Sequence, residues 1–108
     1  MEVRRYLTES GKDVIGEWLA DLKDTRGRAK IATRISRLEA DNFGDCKPVG
    51  EGIWELRVDW GPGYRLYYAV VGTAVILLIC GGDKRKQAAD IRRARAMLKD
   101  YRQRTTTK

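Results

Sequence analysis

From Trp54 onward the chain alternates strictly between apolar and polar residues. Trp54, Leu56, Val58 and Trp60 are apolar, with Glu55, Arg57 and Asp59 between them. A period of two predicts a strand with one face in a core and one in water. Gly61-Pro62-Gly63 then reverses the chain. The next strand has Leu66 and Val70 on one face and Arg65 and Tyr67 on the other. The pattern thus predicts a hairpin whose wet face presents two arginines, a carboxylate and a tyrosine ring.

The flanking segments follow other periods. Residues 3–7 read as a short first strand, ended by Thr8-Glu9-Ser10-Gly11. Val14, Ile15, Trp18, Leu19 and Leu22 recur at helical spacing, which predicts a helix over 11–23 with Ser10 as its N-cap. After a turn at Asp24–Gly27, Ile31, Ile35 and Leu38 predict a second helix over 28–41. So short a connection predicts an antiparallel helical hairpin. Residues 42–52 are rich in turn formers and read as a loop. Past the hairpin, Gly72-Thr73 suits a two-residue turn with Gly first. Ala74–Cys80 is apolar throughout, as in a strand covered on both faces. From Lys84 to Tyr101, Ala88, Ile91, Ala94 and Leu98 mark a last helix, with fraying expected over 103–108. Strands and helices are segregated, so the fold class is α+β: an N-terminal strand, a helical hairpin packed on an antiparallel meander, and a C-terminal helix. The 108 residues form one domain, without repeat or linker.

Charge adds an asymmetry that the pattern does not show. The chain carries +7, from 22 basic and 15 acidic side chains. Residues 1–83 hold 12 basic and 13 acidic groups, whereas residues 84–108 hold 10 and 2. A cationic C-terminal segment attracts a polyanion or an acidic protein, or else is a solvated helix face. The N-terminus lacks the apolar stretch of a secretory signal, and no apolar run is long enough to span a bilayer. A cytoplasmic address follows as the expectation, with Cys46 and Cys80 reduced. Two cysteines and no histidine argue against a zinc site, and no cofactor is expected.

The lack of histidine excludes Ser-His-Asp and Cys-His catalysis. No Gly-rich loop has phosphate-cradling spacing. What remains is a cluster of cations. Arg57 and Arg65 come from adjacent strands, and Lys84, Arg85 and Lys86 follow the third strand where a helix begins. Helix N-terminal amides favour anions, and arginine binds phosphate through paired hydrogen bonds. Tyr67 on the same face suits stacking on a base. The same pattern also fits surface arginines paired with Glu55, Asp59 and Asp83.

Three separated motifs carry a resemblance: Trp54-Glu55-Leu56-Arg57, then Gly61-Pro62-Gly63-Tyr64-Arg65-Leu66-Tyr67-Tyr68, then Gly81-Gly82-Asp83-Lys84 with Gln87 and Asp90-Ile91. The chain resembles the RelE/ParE superfamily of bacterial type II toxins, and within it the HigB-like, phage Gp49-related branch of addiction module killer proteins. Supporting matches, from Trp18-Leu19 to Lys47–Gly52, extend it over nearly the whole chain. The resemblance implies a small microbial-ribonuclease-like fold and a ribosome-dependent mRNA endoribonuclease. The ribose 2′-oxygen would attack the adjacent phosphate. It implies as partners a helix-turn-helix antitoxin (HigA-like), the ribosome and mRNA, with no membrane and no small-molecule ligand.

Matched residue by residue, Arg65 is the implied transition-state stabiliser and Arg57 a phosphate ligand. Lys84 falls where relatives place a basic or acid–base residue, Glu55 where some carry a base, and Gln87 belongs to the branch motif and is implied to bind RNA with Arg85, Lys86 and Tyr67. Relatives with a histidine or tyrosine at the end of the sheet have no counterpart between Cys80 and Gln87, so the general acid is unassigned. Two other readings stay open: a ParE-like, non-catalytic inhibitor of DNA gyrase, and an inactive antitoxin-binding module. Under the RNA and antitoxin readings alike, removing residues 102–108 is expected to matter little.

Overall fold

A mixed five-stranded sheet with helices on both faces organises residues 1–106, the part of the chain that the computed structural model describes. In chain order the elements are β1 (Glu2–Arg5), α1 (Val14–Asp21), α2 (Thr25–Glu39), β2 (Cys46–Gly50), β3 (Ile53–Val58), β4 (Tyr64–Gly72), β5 (Val75–Asp83), a 3-10 turn (Lys84–Lys86) and α3 (Gln87–Thr106). The strand order is β1-β5-β4-β3-β2. The α+β class is as the sequence predicts, but the sheet is not wholly antiparallel: β1 lies parallel to β5.

Each helix start is set by an aspartate. Asp13 caps α1 by accepting from the Gly16 amide at 3.0 Å, and Asp24 caps α2 by accepting from the Gly27 amide at 2.9 Å. The expected cap at Ser10 is therefore corrected. Residues 8–12 close their own loop, with the Thr8 Oγ1 accepting from the Lys12 amide. The loop expected over 42–52 contains β2, an edge strand paired with β3. Pro48 hid it from the pattern, yet proline is tolerated on a sheet edge because its missing donor costs no ladder bond there. The turn between β4 and β5 is Thr73-Ala74, one residue later than expected, because Gly72 stays in register with Val75.

The main correction concerns the second face of the hairpin. Leu56, Val58, Leu66, Tyr68, Ile76 and Leu78 pack against Ile15 of α1 and Ile31 and Leu38 of α2. On the opposite face Ile53, Tyr67, Ala69, Leu77 and Ile79 pack against Ala94 and Leu98 of α3. That face is covered by helix rather than wet, and Glu55 and Tyr67 are both fully buried. Trp54, expected inward, is one of the few exposed large apolar residues.

Gly81 and Gly82 mark where β5 passes between the two helix layers. A Cβ on Gly81 would lie 2.5 Å from the Trp18 ring of α1, and one on Gly82 would lie 1.9 Å from Asp90 Oδ2 of α3. Only glycine allows both approaches. The last helix continues to Thr106; of the residues expected to fray, Thr107 and Lys108 lie outside the described part.

Candidate functional site

Two rows of side chains cross the sheet beneath the start of α3. Backbone register places Arg57, Arg65 and Gly82 in one row and Glu55, Tyr67 and Cys80 in the next. Arginines directly opposite each other repel. Glu55 offsets that repulsion. Its Oε1 accepts from Arg57 Nε at 3.2 Å and lies 3.8 Å from Arg65 Nε. Its Oε2 accepts from the Tyr67 hydroxyl at 3.1 Å and from Gln87 Nε2 at 2.7 Å. A buried carboxylate is tolerable only with this degree of pairing. Burial, and next the Glu55 charge, push the Tyr67 hydroxyl well above its usual pKa, so it stays a donor.

The arginines reach a cleft of about 390 Å³ at the hairpin turn, lined also by Asp45, Asp59, Gly61–Gly63 and Lys84. Arg65 Nη1 donates to the carbonyls of Gly63 (3.1 Å) and Tyr64 (3.3 Å), while the Arg57 side chain keeps 34% of its surface exposed. Gly61 and Gly63 have φ of 55° and 78°, the left-handed region that favours glycine. From the other side, Asp24 Oδ2 accepts from Trp60 Nε1 (3.1 Å) and the Tyr64 hydroxyl (3.0 Å). The Gly27 amide first, and then these donors, hold its pKa below the usual carboxylate value. Arg34 of α2 donates to the carbonyls of Arg57, Phe43 and Asp45. The outer wall of the cleft is thereby fixed to α2.

Residues 17–101 match the family described as Phage derived protein Gp49-like (DUF891). The chain belongs to the Gp49-like family. Members of this family are RelE-type addiction module killers, associated with toxin–antitoxin modules, and an antitoxin is the partner such a module implies. The chain is also 47% identical over 83 residues to an uncharacterised protein of Haemophilus influenzae, covering 77% of this chain and 84% of that one.

In this Gp49-like chain the fold joins Glu55, Arg57, Arg65 and Gln87 into one cluster and sets Lys84 on the rim of the same cleft. Tyr67 is not available to a base, because its ring has no exposed surface and its hydroxyl is engaged by Glu55. The residues meant to present the helix start to phosphate are also placed differently. Asp83 Oδ1 accepts from the Arg85 amide at 3.0 Å, and its Oδ2 accepts from Arg85 Nη2 at 3.2 Å. That carboxylate thus fills the anion position of the turn; its pKa is lowered chiefly by the Arg85 side chain. Arg85 and Lys86 are exposed and do not line the cleft. Cys80 is buried beside α3, and desolvation pushes its thiol up to about 12.

Asp24, Arg34 and Asp45 fall among the supporting matches of the resemblance but were not assigned to the site. Asp24 carried a further signal, an aspartate three residues before Gly27 at a helix start. Arg34 carried no other, since an arginine on an amphipathic helix is ordinarily solvated. Among the described residues no helix is long and apolar enough to cross a membrane.

Proposed function

We propose that this chain is the toxin of a type II toxin–antitoxin system and acts in the cytoplasm as a ribosome-dependent mRNA endoribonuclease. The observation that carries the reading is the pair Arg57 and Arg65, register partners braced from below by a buried carboxylate and opening into a polar cleft. Preorganised cations aimed at one point stabilise the charge that develops on a phosphate in the transition state. The scissile phosphate sits against Arg57 and Arg65. The ribose 2′-oxygen attacks phosphorus, the 5′-oxygen of the next nucleotide leaves, and a 2′,3′-cyclic phosphate remains. Lys84 on the cleft rim contacts the phosphate or protonates the leaving oxygen. The 2′-hydroxyl proton passes to an exposed carboxylate of the cleft, Asp45 or Asp59. Glu55 serves as the brace, because its oxygens already accept from three donors and face a fourth. Gln87 acts through Glu55.

A HigA-like helix-turn-helix antitoxin would silence the protein, with the ribosome and mRNA as its targets. The test is brief induction in bacteria with mapping of mRNA 5′ and 3′ ends. Cuts within translated messages, abolished by Arg65→Ala, are the expected result. Removing one such stabiliser costs about 10²-fold or more in rate. Full toxicity of both Arg65→Ala and Arg57→Ala would overturn the site. DNA damage with translation intact would replace the reading with gyrase inhibition.

A further inference from the structure

The outer side of α3 carries Arg92, Arg95, Lys99 and Arg102, spaced three, four and three residues apart. That spacing aligns them as a single stripe about 15 Å long. The inner side, with Ala94 and Leu98, is in the core. Nothing on α3 itself neutralises the stripe. Its two acidic residues are engaged elsewhere: Asp90 is buried and pairs with Arg93, and Asp100 pairs with Arg104 and the Tyr6 hydroxyl. Arg95 is held at the β2–β3 turn by Glu51 (3.2 Å) and the Val49 carbonyl. Arg92, Lys99 and Arg102 are exposed, and their side chains make no hydrogen bond or ion pair among the described residues. Beside them runs a groove of about 460 Å³, lined also by Ala96, Leu98 and Gln103.

We propose that this stripe and groove are a docking surface for an acidic amphipathic helix of a partner protein. Carboxylates at the same three- and four-residue spacing meet Arg92, Lys99 and Arg102, and an apolar side chain enters the groove over Leu98. Charge complementarity supports a polyanion, and one feature favours polypeptide over nucleic acid. No aromatic ring lines the groove, so bases lack the stacking platform that single-stranded nucleic acid sites use. The inference is independent of RNA cleavage, because none of these residues belongs to the cleft.

The test uses the full chain, a fluorescent helical peptide of about 18 residues that spans the stripe, a scrambled peptide of the same composition, and a U-rich RNA oligonucleotide. The helical peptide carries glutamates at the stated spacing and leucines alongside them. Anisotropy titrations should show the patterned peptide binding more tightly than the scrambled one. The triple variant Arg92→Gln/Lys99→Gln/Arg102→Gln should weaken it about tenfold or more while RNA binding changes little. Circular dichroism of the variant checks the fold, and Lys12→Gln/Lys23→Gln/Arg28→Gln, away from α3 and equal in charge removed, controls for net charge. No binding of the patterned peptide, equal binding of the scrambled one, or an unchanged affinity in the triple variant would overturn the proposal. A larger loss of RNA than of peptide would assign the stripe to nucleic acid and overturn it equally.

Discussion

Glu55 has no exposed surface and touches two arginines, a tyrosine and a glutamine, and the proposed function uses it as electrostatic support rather than for proton transfer. Replacing it with glutamine keeps the shape and removes the charge. Two arginines in register are then left facing each other with no negative charge between them. Glu55→Gln should lower stability by about 3 kcal/mol, the low side of what breaking a buried pair costs, because both arginines reach the cleft. It should lower toxicity in the same variant. Tyr67→Phe removes one donor and should cost about 1 kcal/mol with toxicity retained. Chemical denaturation with parallel growth assays checks both. If Glu55→Gln kept wild-type stability and lost only activity, the carboxylate would be a base after all. Alternation along β3 correctly put Glu55 and Arg57 on one face and Trp54 and Leu56 on the other. It could not say that a helix more than thirty residues later in the chain covers the charged face, because a period of two reports sidedness and not what lies on each side.

At the scale of elements, the same limit explains both what was legible and what was not. The apolar run of β5 signalled burial on both faces, and that is what α1 and α3 provide. Gly81 and Gly82, past the apolar run, are paired strand residues kept small by Trp18 on one side and Asp90 on the other. Gly82→Ala should therefore displace Asp90 and the first turn of α3, costing on the order of 1–3 kcal/mol as overpacking does. Because Gln87 lies in that turn, toxicity should fall as well. Gly11→Ala, where a Cβ meets nothing but φ is 89°, controls for backbone strain alone. Asp24 joins α2 to the hairpin in a way that depends on pH. Its folded-state pKa lies below its unfolded value, chiefly through the Gly27 amide. Its contribution is therefore present above the unfolded pKa and lost as pH falls through the folded one. Thermal melts of Asp24→Asn should match wild type more closely at the acid end than at neutral pH. A constant difference across the range would count against this linkage.

Across the whole molecule, the last helix both closes the core and carries the basic charge, and it also ties the chain's two ends together. Tyr6, just past β1, donates to Asp100 Oδ2 at 2.7 Å. Arg104 donates to the same oxygen at 2.7 Å and to the Leu7 carbonyl, and its guanidinium lies 5.6 Å from the centre of the Tyr6 ring. Three contacts of Arg104 thus converge where the sequence suggested a frayed and dispensable end. Tyr6 is 4% exposed, which shelters this cluster more than an isolated surface pair. Removing Arg104 leaves Asp100 with only the tyrosine hydroxyl and uncovers one face of the ring. A chain ending at Gln103 should therefore be less stable by about 1 kcal/mol, lowering the melting temperature by roughly 4–8 °C for a domain of this size. Arg104→Ala in the full chain should reproduce most of that loss, and Arg104→Lys should recover part of it, since lysine keeps the charge but lacks the planar fork. Calorimetry on the three proteins decides the matter. A truncated chain that melts with wild type would return residues 104–108 to the dispensable role expected of them from the sequence.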